Sequence, residues 1–505
     1  MKSATNLFRD LFPFSQPMAE RKAAAVRELL DTVSGLSPYD VATELTSQII
    51  PGIVDQQNLH MRFKLLEDAR QEAEKALPVL ERHIDSSVLP LPLPATTSAL
   101  TADNLLKALT TSYFDIAKKI TEGSQHKGLT HLLQRTIHRA MLLISRRQNL
   151  AYRSYARPSA TSWLMLHELY QMARQLRARI PDAEISPIEH QYLSALLFAY
   201  LEPSKLPRAE LAAAIFYTQQ LSVHARITEI TPEINARKSA APMFLVRPDE
   251  GSPGTPLLRL ALGAPIFDGY IVDCSGVLDT LNKSVERAAD HPGEPGLELP
   301  PALRQTLQLA IGSQSMRRFG RKRFKPHADL VGGITQVIPF IEGDAPSRRA
   351  VDVTKHKGHQ SFSPSEWSLI DQSPDGFLVR FIQGDKWQVG VGNIVALQPR
   401  ESSRVHICLV RRISSTNQGR LELGLQALSP QVSIVPLPGH GENRRGIYLH
   451  SLPAFGNRPG IIAHPGHLAS GHKIRLANSG SDHLLQVGRR LEASEGLEFF
   501  ALVPL

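Results

Sequence analysis

Apolar residues recur at three- and four-residue steps through Leu59, Phe63, Leu66, Ala69, Ala73, Ala76, Leu80 and Ile84, with Glu67, Asp68, Arg70, Gln71, Glu74 and Lys75 between them. At 3.6 residues per turn this spacing gathers the apolar set on one face of a helix and leaves the charges on the other. Pro78 falls inside the stretch and predicts a kink, because its ring removes a backbone donor and crowds the carbonyl four residues back. The same period returns in Leu105, Leu109, Tyr113, Ile116 and Ile120, in Leu129, Leu133, Ile137, Met141 and Ile144, and in Trp163, Leu166, Leu169, Tyr170, Ala173 and Leu176. Ser186-Pro187-Ile188-Glu189 reads as a helix start, with Ser as cap, Pro at the first helical position and Glu three residues after the cap. From Ala19 to about Ile227 the chain therefore reads as an antiparallel bundle or a helical-repeat array. Val88 to Pro94, with a proline at alternate positions, reads as a connector followed by small polar residues. Arg135, Arg139, Arg146 and Arg147 fall on or near the polar side of their helix and read as a solvated basic face.

Past Thr228 to Ala241 the pattern shortens. Met243-Phe244-Leu245-Val246-Arg247, Leu257 to Leu262 and Phe267 to Val272 are strand-like runs between Gly and Pro signals, and helices are predicted at Val277 to Ala289 and Ala302 to Gln314. Gly376-Phe377-Leu378-Val379-Arg380, His406 to Arg411 and Leu421 to Leu425 then read as strands, with Val389 to Leu397 as a turn feeding the next strand, and beyond Pro430 come Gly446 to His450, Gly460 to Ala463, Lys473 to Ala477, His483 to Leu491 and Leu497 to Val503. The expected fold class is α+β multidomain: an α-helical N-terminal half, a central antiparallel β-barrel and a β-rich C-terminal region. The expected boundaries are a helical domain over 1–235, a small β-plus-helix region over 236–300, a barrel over 301–430 and a C-terminal β-rich domain over 431–505.

The candidate chemistry sits where the barrel begins. Arg317-Arg318-Phe319-Gly320-Arg321-Lys322-Arg323 is a dense cationic run carrying two arginines at an R-x-x-x-R spacing, and Asp371-Gln372-Ser373-Pro374-Asp375-Gly376 is a D-x-S-x-x-G turn leading into a strand. Taken in this order, with strands behind them, these parts resemble the PilZ-domain family of bacterial cyclic di-GMP receptors. The resemblance covers Met316 to Leu428. It implies a PilZ-like barrel whose ligand is cyclic di-GMP, held by Arg317, Arg318, Arg321, Asp371, Ser373 and Gly376, with no catalytic or metal-binding residues and no cofactor beyond that ligand.

The residues suit such a guest on chemical grounds. A cyclic dinucleotide offers two phosphodiesters and two guanines. Arginine forks onto phosphate oxygens, hydrogen-bonds guanine O6 and N7, and stacks on a flat ring. Asp371 would accept from guanine N–H groups or fix an arginine, Ser373 would reach a polar atom, and Gly376 supplies the backbone freedom of a tight turn. Gly343 to Ser365 reads as an inserted polar loop between the two motifs. The resemblance further implies a receptor that relays ligand occupancy to an unidentified protein partner in motility, pilus or biofilm control. The helical half, which shows no catalytic constellation, reads as a partner-docking or oligomerisation module, and a count of two cysteines fits a reducing cytoplasm.

Composition agrees without choosing among anionic partners. The 505 residues carry a formal charge of +9, which favours a nucleotide, a nucleic acid or an acidic protein surface. With only Cys274 and Cys408 there is no disulfide framework to expect. No run has the length of a membrane-spanning helix and no secretory signal is evident. The histidine pairs His356/His359 and His464/His467 lack the cysteines or convergent ligands of a zinc site. A P-loop, a dinucleotide fingerprint, H-E-x-x-H and G-x-S-x-G are all missing, so an enzyme is not expected. Two other readings stay open: a barrel that keeps the fold as a protein-interaction adaptor without nucleotide, and a basic nucleic-acid-binding barrel. The second wants aromatic residues among the cations for base stacking, and only Phe319 and Phe324 are close.

Overall fold

The computed structural model describes residues 15–123, 128–180, 184–232, 234, 242–260, 268–290, 299–312, 326–342, 364–384, 388–402, 404–415, 420–429, 431–438, 444–452, 457–478, 481–494 and 496–505. They form two compact units. The first holds Met1–Ser87, Leu91–Pro203 and Ala209–Met316; the second holds Arg317–Leu505 with the short segments Val88–Pro90 and Ser204–Arg208.

The first unit is built on helices: α1 Ser15–Val33, α2 Pro38–Glu44, which runs on through a π turn into α3 Ile50–Val54, α4 Leu59–Asp85, α5 Leu93–Glu122, α6 Thr130–Arg153, α7 Ala160–Arg179, α8 Ser186–Tyr200 and α9 Arg208–Leu221. Asn58 starts α4 by accepting from the Met61 amide at 3.0 Å, and the predicted stripe from Phe63 to Ile84 is buried. Pro78 lies inside α4, which runs on through it. The connector is shorter than expected. Pro92 caps α5, and Thr96 and Thr97 stay helical while their hydroxyls donate to the carbonyls of Pro92 and Leu93, the back-bonding that small polar residues use inside helices. The Ser186 side chain makes no cap; the N-cap residue is Ile185, with Pro187 in the first turn of α8.

Partner pairs give the direction of packing. Tyr113 and Asp103 of α5 meet Glu67 of α4 and Arg147 of α6, whereas Arg139, Arg146 and Arg153 meet Glu67, Glu81 and Asp85 in rising order. So α4 and α6 run parallel with α5 antiparallel to α4, an up-down-up succession of the kind the short connections imply.

Strands β1 Arg226–Thr228, β2 Met243–Val246, β3 Thr255–Pro256 and β4 Tyr270–Asp273 complete this unit as an antiparallel sheet in the order β1-β4-β2-β3. Leu257–Arg259 is a 3-10 turn where a strand was expected; positions 261–267 lie outside the described residues. Helices α10 Ser275–Asp290 and α11 Pro301–Gly312 follow.

In the second unit, β5 His327–Gly332, β6 Ser365–Ser373, β7 Gly376–Gln383, β8 Ile394–Pro399, β9 His406–Ser415 and β10 Leu421–Ser429 close into an antiparallel barrel in the order β10-β7-β6-β5-β8-β9. Its interior is filled by Leu330, Trp367, Leu369, Val379, Val395, Cys408, Val410 and Leu423, all at most 2% exposed. Helix α12 Ile334–Glu342 leaves β5, and its Ile334, Val337 and Phe340 join Val331, Ile394 and Ile407 from the outside of the barrel. The same cluster takes in Ile447, Leu449, Ile462 and Phe499 from a second sheet. That sheet is β11 Val432–Pro436, β12 Arg445–Leu452, β13 Arg458–Ala463, β14 Lys473–Asn478, β15 Ser481–Ser494 and β16 Leu497–Pro504, in the order β11-β12-β13-β16-β15-β14. Its other face buries Val435, Ile461, Ile474, Val487 and Phe500, so the sheet is apolar on both sides. No described helix is long and apolar enough to cross a membrane.

Candidate functional site: the outer face of the barrel

Asp371, Ser373 and Gly376 lie on one hairpin. Asp371 and Ser373 are in the last residues of β6 and Gly376 opens β7, with only Pro374 and Asp375 between the strands. Ser373 pairs with Gly376 across the hairpin, and the Ser373 hydroxyl donates to the Gly376 carbonyl at 3.4 Å. The Ala427 amide donates to the Asp375 carbonyl at 2.9 Å, tying the tip to β10. The glycine is required. A Cβ at position 376 would lie 1.9 Å from the Leu425 carbonyl oxygen, backbone that has no room to retreat within the β7–β10 ladder.

Alternation decides which way these side chains face. Trp367 and Leu369 point into the barrel, so Glu366 and Ser368 point out. A register shift between Leu369 and Asp371 sets two residues of β6 against one of β7. This extra residue reverses the alternation. Asp371, which would otherwise point inward with Leu369, comes to the outer face with Ser373, Ser368 and Glu366. Arg380 stands opposite Ser368 on β7 and is held against Glu422 of β10 at 2.7 Å.

Further along this face is a cluster that no local motif announces. The Glu366 carboxylate, its side chain 6% exposed, accepts from Gln383 Nε2 at 2.7 Å, His327 Nδ1 at 2.7 Å and Arg400 Nη1 at 3.0 Å. These donors, Gln383 first and then His327 and Arg400, hold its pKa down to about 2 against the opposing pull of burial. Arg400 also approaches Asp329 at 3.6 Å, and its amide donates to the His327 carbonyl at 2.9 Å. The cluster clamps the first residue of β5 to its two neighbouring strands. Sequence reasoning missed it because its members are scattered over several strands; the one available signal was Glu366, a carboxylate beside the inward Trp367 and so necessarily on the outer face.

Arg317, Arg318 and Arg321 lie outside the described residues. The path of the chain into β5 is described from Pro326 onward. His327 pairs with Ser368, and the Leu369 amide donates to the Pro326 carbonyl at 3.0 Å. Since β5 is antiparallel to β6, Pro326 enters the barrel at the end of β6 that holds Asp371 and Ser373. The similar start at Asp273-Cys274-Ser275 has a different use: Asp273 accepts from the Ser275 amide at 2.8 Å and from its hydroxyl at 2.6 Å, which caps α10. His356 and His359 also lie outside the described residues, as does most of the expected insertion, positions 343–363, while Ser365 already belongs to β6.

Residues 24–233 match a family model described as the N-terminal domain of the cyclic-di-GMP receptor FimW. The matched region runs from within α1 through α9 and β1, and it ends before the barrel. No curated protein matches the chain.

Proposed function

We propose that the chain is a cyclic di-GMP receptor that takes its ligand on the outer face of a PilZ-like barrel, between the arginine segment and the Asp371–Ser373 corner. The observation that carries the proposal is the point of entry: Pro326, a few residues after Arg317, Arg318 and Arg321, joins β5 at the end of β6 where Asp371 and Ser373 face outward. Arg321 precedes Pro326 by five positions. At roughly 3.4 Å per extended residue that interval reaches up to about 17 Å, enough to bring a guanidinium over the corner. The family described by the match to residues 24–233 is itself a receptor of this dinucleotide, which supports the ligand though not its place on the barrel.

In this reading the arginines take phosphate oxygens and a guanine edge, and the Asp371 carboxylate accepts from guanine N–H groups. Ser373 and the backbone of the turn fix the corner, and the Glu366 cluster fixes the point at which the arginine segment joins the barrel. No step requires a nucleophile or a general base, so the protein is a sensor. It works in the cytoplasm and passes occupancy to a protein partner. The mutual repulsion of the cations between Arg317 and Arg323 is relieved when a dianion binds, and this unequal affinity for the free and folded-over segment is what the partner reads.

Isothermal titration with cyclic di-GMP on the full chain tests the reading. Saturable binding is expected, lost or weakened by at least about tenfold in Arg317→Ala, Arg321→Ala and Asp371→Ala, each of which removes one charged contact. Binding unchanged in all three variants, or no heat in the unaltered chain, overturns it. A salt-sensitive response to single-stranded RNA in place of the dinucleotide would instead mark a nucleic-acid-binding barrel.

A further inference from the structure

The first unit contains a pocket of about 430 Å³ between α7, the start of α8, β1 and β4. Its size lies in the range of small-molecule sites, roughly 300–1,000 Å³. We infer that it binds a guanine nucleoside monophosphate, a ligand and a place distinct from the dinucleotide on the barrel.

Two buried tyrosines form its floor. Tyr170 is 2% exposed and Tyr270 3%. Tyr170 stacks flat on Tyr192 at 4.3 Å, which fixes its ring, and its hydroxyl has no hydrogen-bond partner among the described residues. The Tyr170 hydroxyl is raised in pKa first by burial, then by Glu189 and Tyr270, against the easing effect of Arg174 and Arg177. All four side chains line the same pocket as Tyr170.

A hydrogen-bond relay sets the polarity of Tyr270. The Ser252 carbonyl only accepts, so His167 must donate to it from Nε2, at 2.8 Å. In the neutral ring this leaves His167 Nδ1 as an acceptor, and the Tyr192 hydroxyl donates to it at 2.6 Å. The Tyr192 oxygen is then the acceptor for the Tyr270 hydroxyl. Tyr270 has spent its proton, and what it offers a ligand is a lone pair. Burial keeps His167 neutral by disfavouring its charged form, so the order of donors is stable.

The pocket thus asks for a ligand with N–H donors and an anionic end. Glu189 and Tyr270 line it as acceptors. Arg174 and Arg177 follow Tyr170 at four and seven residues, on the same face of α7. Arg174 shares its charge with Glu229 in an exposed pair at 3.3 Å, whereas Arg177 makes no ion pair among the described residues. Ile185 and Ile227 supply apolar surface for a flat ring. A guanine presents N1–H and N2–H side by side, the arrangement a carboxylate such as Glu189 accepts in bidentate fashion, and a phosphate suits the unpaired Arg177. Adenine lacks that donor pair.

Calorimetry of the full chain with GMP and with AMP decides the matter. GMP is expected to bind several-fold more tightly than AMP, with Arg177→Ala weakening GMP by about tenfold and Glu189→Gln removing the preference over AMP. Arg177 is exposed, so its variant folds; Tyr270→Phe, which removes only the oxygen, serves as the second probe and should also weaken GMP. Binding must persist in Asp371→Ala, which separates this site from the barrel. No binding of either nucleotide, binding untouched by Arg177→Ala and Tyr270→Phe, or binding abolished by Asp371→Ala alone would each overturn the inference.

Discussion

Glu366 shows how a single carboxylate fixes a strand. Three donors converge on it from β5, β7 and the residue after β8, and each is replaced by water when the barrel unfolds. Its pKa of about 2 in the folded chain lies below the ordinary glutamate value of 4.5. Protons therefore bind the unfolded state first as pH falls. The stabilisation is fully present above the unfolded value and disappears as pH drops through about 4.5 toward about 2, an interval worth about 3 kcal/mol if this group acts alone. Urea unfolding of the barrel followed between pH 6 and pH 2 should show that loss. Glu366→Gln should flatten the dependence while lowering stability at pH 7 by about 1–3 kcal/mol, the cost of leaving buried donors poorly satisfied. An unchanged acid slope in the variant would mean that other carboxylates set it.

Among the elements, α4, α5 and α6 are joined by ion pairs as well as by their apolar faces. Glu67 takes Tyr113, Arg70 and Arg139; burial pulls its pKa up, but these partners outweigh that and hold it below the usual range. Glu81 takes Arg146 at 2.7 Å and Arg153 at 3.3 Å, and Arg147 forks onto Asp103 at 2.6 and 3.0 Å. Arg135 lies over the Phe63 ring at 4.9 Å. The basic face expected from the sequence is therefore not a free solvated one. Glu81→Gln leaves two arginines short of a partly buried partner and should cost the helical unit about 1–3 kcal/mol. A double-mutant cycle with Arg146→Ala should return a coupling of about 1 kcal/mol, and coupling near zero would show that α4 and α6 are held by apolar contact alone.

The same elements show what the sequence carried and what it did not. The stripes on α4 to α7 were legible because periodicity is local, strand β10 because apolar and polar residues alternate along it, and β7 and β9 because each is a short apolar run. Partners of the α6 arginines lie up to 72 residues away and leave no local trace. Strand β5 was missed because its outer positions carry His327 and Asp329, which read as loop until Arg400 and Glu366 are brought to them. Helix α12 is only nine residues long and contains Pro339. The hairpin corner was legible as a turn. Its outward orientation was not, since one extra residue in β6 decides the face of Asp371 and cannot be seen before the strands are paired.

At the scale of the whole molecule, the two lines of evidence for a cyclic di-GMP receptor rest on different parts of the chain. The family match covers residues 24–233, in the helical unit, while the arginine run and the Asp371–Gly376 turn belong to the barrel unit. A ligand stabilises the cooperative region that holds it, by about 2.7 kcal/mol at one hundred times its dissociation constant. Hydrogen exchange resolved by segment can therefore assign the dinucleotide to one unit. With saturating cyclic di-GMP, amides of the β6–β7 hairpin and of β5 should exchange more slowly, while those of α4 to α6 keep their rates. GMP should act the other way, slowing β4 and the end of α7 and leaving the hairpin unchanged. If the dinucleotide protected α7 and β4 with no effect on the hairpin, its receptor surface would be the pocket beneath Arg174 and Arg177. The corner at Asp371 would then be a turn that serves the barrel alone.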